Sequence, residues 1–438
     1  MKRNSTLLEN SLMNRKPRIL LVPDIAWWVI GEMGKQIVAR FRDKYDFYFL
    51  PATVLERRPD MLEALLPAID AIHCINDDGT VELFRGFDPQ ILPPIATWIH
   101  HVTTWAPHQQ LAIEMSSALT VCTQGWKDYL DERVAGRIPV TVIPHGVDTE
   151  FFHPRAVRPG RFGIPSGRFV VGFLGSKGSD RDYGRKGTDV LLDVTRKAAA
   201  RLPNLHVLLG GPGWEKEVAD LTALGVSVSS TGYIRKADVP ALYSALDVYL
   251  LTSRVEGGPC TVFEAMACET AVVSTRVGAV PNLIVDGVNG YSADVGDNEG
   301  LLSAIVELGQ SPEKRIDIGR RGRETVSRLS WGAVLAPLEG VYDEMIRRRR
   351  LMGEPLPGPS WMKDPEGILR SACACDAILT VYKRVRKRSM TVAKGIGMLH
   401  EMLNGQSIAD IVRGAAMIRR FGPKTAIAPN PKVDSGGQ

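Results

Sequence analysis

The chain reads as an α/β protein: two Rossmann-like, doubly wound domains facing across a cleft, followed by a helical basic C-terminal tail. Three observations give that reading. Short β-branched runs alternate with segments of helical character in two successive series, the pattern of βαβ units and a parallel sheet. A loop rich in Pro, Gly and Arg, FFHPRAVRPGRFGIPSGR, separates the two series. Positive charge is concentrated beyond residue 344, where seventeen Lys and Arg stand against seven Asp and Glu, while the preceding body is net acidic.

The elements follow in order. Residues 1–16 are polar and aperiodic and are expected to form a disordered lead-in. The runs RILLVP, DFYFLP, AIHCI, IATWI, ALTVC and VTVIP predict the strands of a first domain over 17–150, with helices over 34–42 and 124–133. FVVGFLG, LHVLLGG, VSVSS, DVYLLTS and AVVST predict the strands of a second domain over 165–330, with helices over 187–201, 237–245 and 260–268. A helix over 331–350 is expected to return toward the first domain. Residues 351–438 are expected to form the basic tail, in which GEPLPGPSW leads to KRVRKR and an amphipathic pattern over 407–421. Such a segment can lie on an anionic membrane surface, or pack on the body or a partner.

Composition excludes several classes. The six cysteines are scattered and no secretory leader is evident, which predicts free thiols and a cytoplasmic protein, with a peripheral place on the inner face of the membrane if the tail binds there. Cys373 and Cys375 lack the spacing of a zinc site, so no metal is expected. No run of eighteen apolar residues exists to span a bilayer. An acidic body without a recognition fold argues against nucleic acid as partner.

The chemistry centres on EGGPCTVFEAMAC, residues 256–268, which sets Glu256 and Glu264 among apolar and glycine residues. Carboxylates so placed need solvent or a ligand to satisfy them. Arg254 to Pro259 are expected to form a strand-to-helix loop with Glu256 at its tip and Glu264 about one turn into the helix. Backbone N–H groups near Cys260 and Thr261 would open toward a phosphate, and Gly257 and Gly258 let the backbone approach it. A carboxylate on either side of a diphosphate site fits a nucleotide sugar, with its ribose diol and hexose hydroxyls. On residue chemistry alone, Glu264 could equally complement the helix dipole and Glu256 be a solvated loop residue.

The stretch SRVEGGPCTVFEAMACETAVVSTRVGAVPNLIVDGVNGYSADVGD resembles the donor-binding segment of the family-4 retaining glycosyltransferases of GT-B fold, whose signature is Glu-x7-Glu followed by Ala-Met-Ala. VTVIPHGVDTEFFHP, GRKGTDVLLDV and LLGGPGWE match further family pieces in order, over roughly residues 140–310. The resemblance implies transfer of a hexose from a nucleoside diphosphate sugar to a hydroxyl acceptor, glycan or lipid-linked, with retention and with no cofactor or metal. It implies that Glu264 holds the ribose hydroxyls, Glu256 the hexose hydroxyls, and Lys186 the diphosphate, with Arg185 able to share that role. Tyr233, Ile234 and Arg235 fall where the family holds the base. His101, or His100 beside it, falls where the family turns a histidine into the cleft.

Two departures stand out. Ser176 occupies the place of an expected arginine, with Lys177 the nearest substitute and Arg181 another. In GEMGKQIV only Gly34, or Gly31 in another register, matches the glycine loop that approaches the donor phosphate. An epimerase or hydrolase on the same scaffold, or a catalytically idle nucleotide-sugar-binding protein with an interaction tail, are the rival readings.

Overall fold

The computed structural model describes residues 15–77, 79–102, 105–158, 160–175, 177, 184–386, 398, 399 and 402, the side chains of 360, 361 and 381–386 excepted. The first sheet contains β1 (Arg18–Val22), β2 (Asp46–Phe49), β3 (Ala71–Cys74), β4 (Ile95–Ile99), β5 (Ala118–Val121) and β6 (Val140–Val142), in the order β2-β1-β3-β4-β5-β6. The second contains β7 (Phe169–Leu174), β8 (Leu205–Gly210), β9 (Val228–Gly232), β10 (Val248–Leu251), β11 (Ala271–Thr275) and β12 (Tyr291–Ala293), in the order β12-β11-β10-β7-β8-β9. All paired strands are parallel. Parallel strands need helical crossovers on both faces, so their residues are apolar nearly throughout; every residue of β3, β4, β8 and β11 is buried.

Strand order reverses between β1 and β3 in the first sheet and between β7 and β10 in the second. Open α/β sheets leave a crevice outside the carboxyl ends of the strands at such a point. The helices that flank these crevices are α1 (Val29–Phe41), α2 (Gln124–Val134), α3 (Thr188–Arg201), α4 (Val239–Ser244) and α5 (Cys260–Ala267). The strand expected at VSVSS lies two residues further on, as β9, and a single 3-10 turn, Lys236–Asp238, leads into α4.

Two expectations at the ends of the chain are corrected. Arg15 belongs to the fold and not to a lead-in, because its guanidinium makes hydrogen bonds of 2.7 and 3.0 Å to the buried Asp70, which also accepts the Arg18 N–H; residues 1–14 lie outside the described residues. The boundary at 351 divides one packed unit. Helix α6 (Ala336–Leu351) buries Tyr342, Met345 and Ile346 on one face of the first sheet, and α7 (Pro365–Arg386) follows it onto the same domain. Met362, Ile368 and Ala372 join the core on the other face, and the Tyr48 hydroxyl donates to the Met362 carbonyl at 2.9 Å. Apolar side chains spaced along α7 find a core to enter, which charge counting over the whole segment conceals. The amphipathic pattern at 407–421 lies outside the described residues.

The chain crosses between the domains after β6 and again before α6. At the first crossing a Cβ on Gly146 would meet the Trp331 ring at 2.7 Å, and the Val147 N–H donates to the Leu329 carbonyl at 3.0 Å across to the second. The carboxyl ends of the two sheets also touch. A Cβ on Gly257 would lie 2.1 Å from the His100 carbonyl oxygen, the Trp126 indole N–H on α2 donates to the Glu256 carbonyl at 3.2 Å, and Lys236 is ion-paired with Glu32 on α1.

Candidate active site

At the second sheet's reversal, the segment after β10 is strapped to the segment before α3. The Thr252 hydroxyl donates to the Gly187 carbonyl at 2.9 Å, and the Arg254 N–H donates to the Arg185 carbonyl at 2.7 Å. Gly187 has φ of +62°, and a Cβ there would lie 1.9 Å from the Thr252 oxygen, so only glycine admits this approach. The Arg254 guanidinium closes the strap by bidentate bonds to Asp189 at 2.9 and 2.7 Å.

The strap fixes three charges together. Lys186 Nζ lies 2.6 Å from Glu256 Oε1, the Ser253 hydroxyl donates to the same oxygen at 2.8 Å, and an Arg185 guanidinium N–H stands 3.5 Å from Oε2. Glu256, in the loop before α5, is therefore buried and paired, not the solvated loop residue that its residue chemistry alone allows. Burial acts to raise its carboxyl, but Lys186 and Arg185 outweigh that and hold it below the usual glutamate value. Two cations against one carboxylate leave a positive site at the crevice. Cys260 and Thr261 form the first turn of α5 there, with Pro259 as its N-cap and no side-chain cap hydrogen bond, so its orphan N–H groups add to the attraction for an anion.

Glu264, one turn along α5, sits partly buried with Oε2 accepting the Tyr243 hydroxyl at 2.8 Å. Burial pushes its carboxyl up to about 7, partly offset by Tyr243 and Lys236. Val262, Phe263, Met266 and Ala267 are buried against the second core, as their positions on the helix predict.

The remaining expected residues divide. Gly258 faces the first domain, where a Cβ would meet His145 at 2.9 Å. His100 turns into the fold: Nε2 bonds the Ile75 carbonyl at 2.8 Å and the ring stacks on Trp98. Burial lowers its pKa to about 4, keeping it neutral. His101 follows it, partly exposed, beyond the end of β4. Ile234 packs against the second core and Arg235 is ion-paired to Asp238 at 2.6 Å. The Lys177 ammonium is 2.7 Å from the buried Glu217 and is engaged there, not on Glu256. Ser176 and Arg181 lie outside the described residues.

Gly34 is a correction. It is buried in α1, not in a loop, and a Cβ would strike the Ile75 and Phe49 side chains at 2.6 and 2.7 Å. Its smallness serves helix-on-sheet packing. Gly31 likewise lets the first turn of α1 lie on the backbone of Ile25 and Ala26. Sequence reasoning missed Ser253, Tyr243, Trp126, Glu32 and Lys236. Only Ser253 carried a local signal, three residues before Glu256.

Residues 168–311 match the family described as glycosyl transferases group 1. That match lies within the second domain. The chain is 30% identical over 220 residues to a D-inositol 3-phosphate glycosyltransferase of Saccharomonospora viridis, covering 47% of this chain and 50% of that one. It is 31% identical over 228 residues to the lipopolysaccharide core biosynthesis mannosyltransferase LpcC of Rhizobium leguminosarum bv. viciae, covering 49% and 62%. The chain thus spans about half the length of the first two curated relatives it matches. Among solved structures, the Anabaena protein HepE in complex with UDP-glucose aligns at 18% identity with a TM-score of 0.60, covering 74% of this chain and 99% of that one. The two domains therefore share the GT-B fold.

Proposed function

We propose that the chain moves a hexose from a nucleoside diphosphate hexose to a hydroxyl of a glycan or lipid-linked acceptor, with retention at the anomeric carbon. The observation that carries this reading is the convergence of Lys186 and Arg185 on Glu256 at the β7–β10 reversal. As the anomeric C–O bond breaks, charge develops on the departing diphosphate. Fixed cations and the first turn of α5 stabilise it without having to reorganise. Glu256 accepts hydrogen bonds from hexose hydroxyls, and Glu264 from the ribose diol. The acceptor oxygen bonds the anomeric carbon on the face the diphosphate leaves, and its proton passes to a diphosphate oxygen, giving a glycoside and a nucleoside diphosphate. Retention rests on the resemblance to the family-4 enzymes. The nucleotide sugar is a co-substrate, and we assign no resident cofactor.

The touching domains support water exclusion during transfer. His101 is assigned to the acceptor side of the cleft. Lys383 to Arg388 and the amphipathic stretch over 407–421 are assigned to an anionic membrane surface near a lipid-linked acceptor.

The test is a panel of labelled nucleotide sugars incubated with the full chain and candidate acceptors. Acceptor-dependent release of nucleoside diphosphate is expected, and Lys186→Ala and Glu256→Ala should each lower it by about a hundredfold or more. Full turnover in both variants would falsify the assignment of roles.

A further inference from the structure

The loop between β1 and α1, residues 23–28, stands at the carboxyl end of β1, beside the first sheet's own reversal point. The structure holds this loop from two sides, by α7 and by α1. Asp376 on α7, fully buried, accepts the Ala26 N–H through Oδ2 at 2.7 Å and the Thr53 hydroxyl through Oδ1 at 2.5 Å. Thr380, one turn further along α7, accepts the Trp27 indole N–H at 3.3 Å. Gly31 lets α1 lie against the loop backbone with no room for a methyl group.

What the fixed loop presents is Trp28, 49% exposed. Its indole N–H donates to Asp24 Oδ1 at 3.3 Å, which orients the ring through its edge. Trp28 immediately precedes α1, in the loop that leaves the carboxyl end of β1. It is the N-cap, its carbonyl accepts the Glu32 N–H at 2.9 Å, and Glu32 one turn on is the residue that reaches Lys236 of the second domain. An oriented, exposed indole beside a carboxylate suits a pyranose, whose C–H face is apolar and whose edge carries hydroxyl donors. Glu32 is paired with Lys35 and Lys236, and Asp376 is fully buried, so Asp24 is the acidic group that stands beside the ring.

We infer that Trp28 and Asp24 form a subsite for the terminal hexopyranose of the acceptor, with the ring laid on the indole and a hydroxyl bonded to the Asp24 carboxylate. The inference rests on the glycosyl transfer reading and adds to it that the acceptor is a saccharide, not a simple alcohol or bare lipid headgroup. Asp376 acts through Ala26 as a positioning residue for the platform.

The experiment measures saccharide binding without donor turnover. The full chain is titrated with the methyl glycosides of glucose, galactose and mannose, with open-chain sorbitol as control, by saturation-transfer NMR. At least one methyl hexoside should bind, with transfer to its ring C–H protons. Trp28→Ala should weaken that binding by about tenfold or more, as expected for loss of one face of apolar contact, and Trp28→Phe should keep it within about threefold. Thermal melts of both variants confirm folding. No binding of any methyl hexoside by the wild type, equal binding by Trp28→Ala, or equal binding of sorbitol overturns the subsite. So does a Trp28→Ala chain that loses anionic vesicles in place of sugar. A wild type that binds a methyl hexoside yet consumes no nucleotide sugar overturns the transfer reading instead, so the two failures are told apart.

Discussion

Glu264 is a carboxyl whose protonation the fold and the proposed ligand pull in opposite directions. Burial raises its pKa in the folded chain to about 7, above the roughly 4.3 of an unfolded glutamate. A raised carboxyl contributes stability that is fully present below the unfolded value and is lost as pH rises through the folded one. The free protein should therefore melt at progressively lower temperature between about pH 5 and about pH 8, and Glu264→Gln should flatten that slope. Ribose hydroxyls donate to the ionised form, so nucleoside diphosphate should bind several-fold more tightly at about pH 8 than at about pH 6. Calorimetric titration across that range checks both arms, and equal affinity at the two ends would remove Glu264 from the ribose. Lys236, Tyr243 and Cys260 face the same group, and Tyr243 and Cys260, both pushed upward by burial, stay neutral through this window. Lys186 was reached only through the resemblance carried by GRKG, whereas the positions of Glu256 and Glu264 were legible in the sequence because short-range spacing after β10 sets them. Tyr243 and Asp376 were not, since they act on partners 21 and 350 residues away and nothing local marks the meeting.

Among elements, the central strands announced themselves by apolar runs, as both faces of each sheet are covered there, whereas β9 (VSSTG) is largely polar and β12 (YSA), at the other edge, was not expected. Helix starts were harder. Helix α1 begins at Val29 with Trp28 as N-cap and no side-chain cap bond, so the usual Ser, Thr, Asp or Asn signal is absent and its glycines look like loop residues. The loop into α5 shows what a true close approach demands. Gly257 meets the His100 backbone across the cleft, and a methyl group there has nowhere to go. Gly257→Ala should leave each domain folded, hold the domains apart and lower turnover by about tenfold or more, since small displacements at a reacting centre have effects of that size. Small-angle scattering together with donor turnover measures it. Unchanged scattering and turnover would mean that the contact is not part of the working state.

The whole molecule is less divisible than its charge distribution suggests. Cutting the chain after Leu351 removes Met362, Ile368 and Ala372 from the first domain's core and takes the acceptor from the Ala26 N–H. Burying a large apolar side chain contributes about 1.5–3 kcal/mol, against the roughly 5–15 kcal/mol that holds a typical domain. That truncation should yield aggregated or unfolded first domain by circular dichroism and limited proteolysis. Removing only residues 403–438, beyond the Met398, Leu399 and Met402 side chains that pack by α7, should leave the melt intact and reduce sedimentation with anionic vesicles. A soluble, cooperatively melting product from the first cut would show that α7 is dispensable.

The return of α6 and α7 to the first sheet also fixes an order of assembly. The second domain is an uninterrupted stretch nested inside the first, so a growing chain can complete it from its own neighbours. The first sheet has all its strands by Val142, yet the side chains that cover it from α6 and α7 are synthesised some two hundred residues later. During that interval the half of the molecule made first is the half still open to solvent, and it is there that a nascent chain would call on a chaperone.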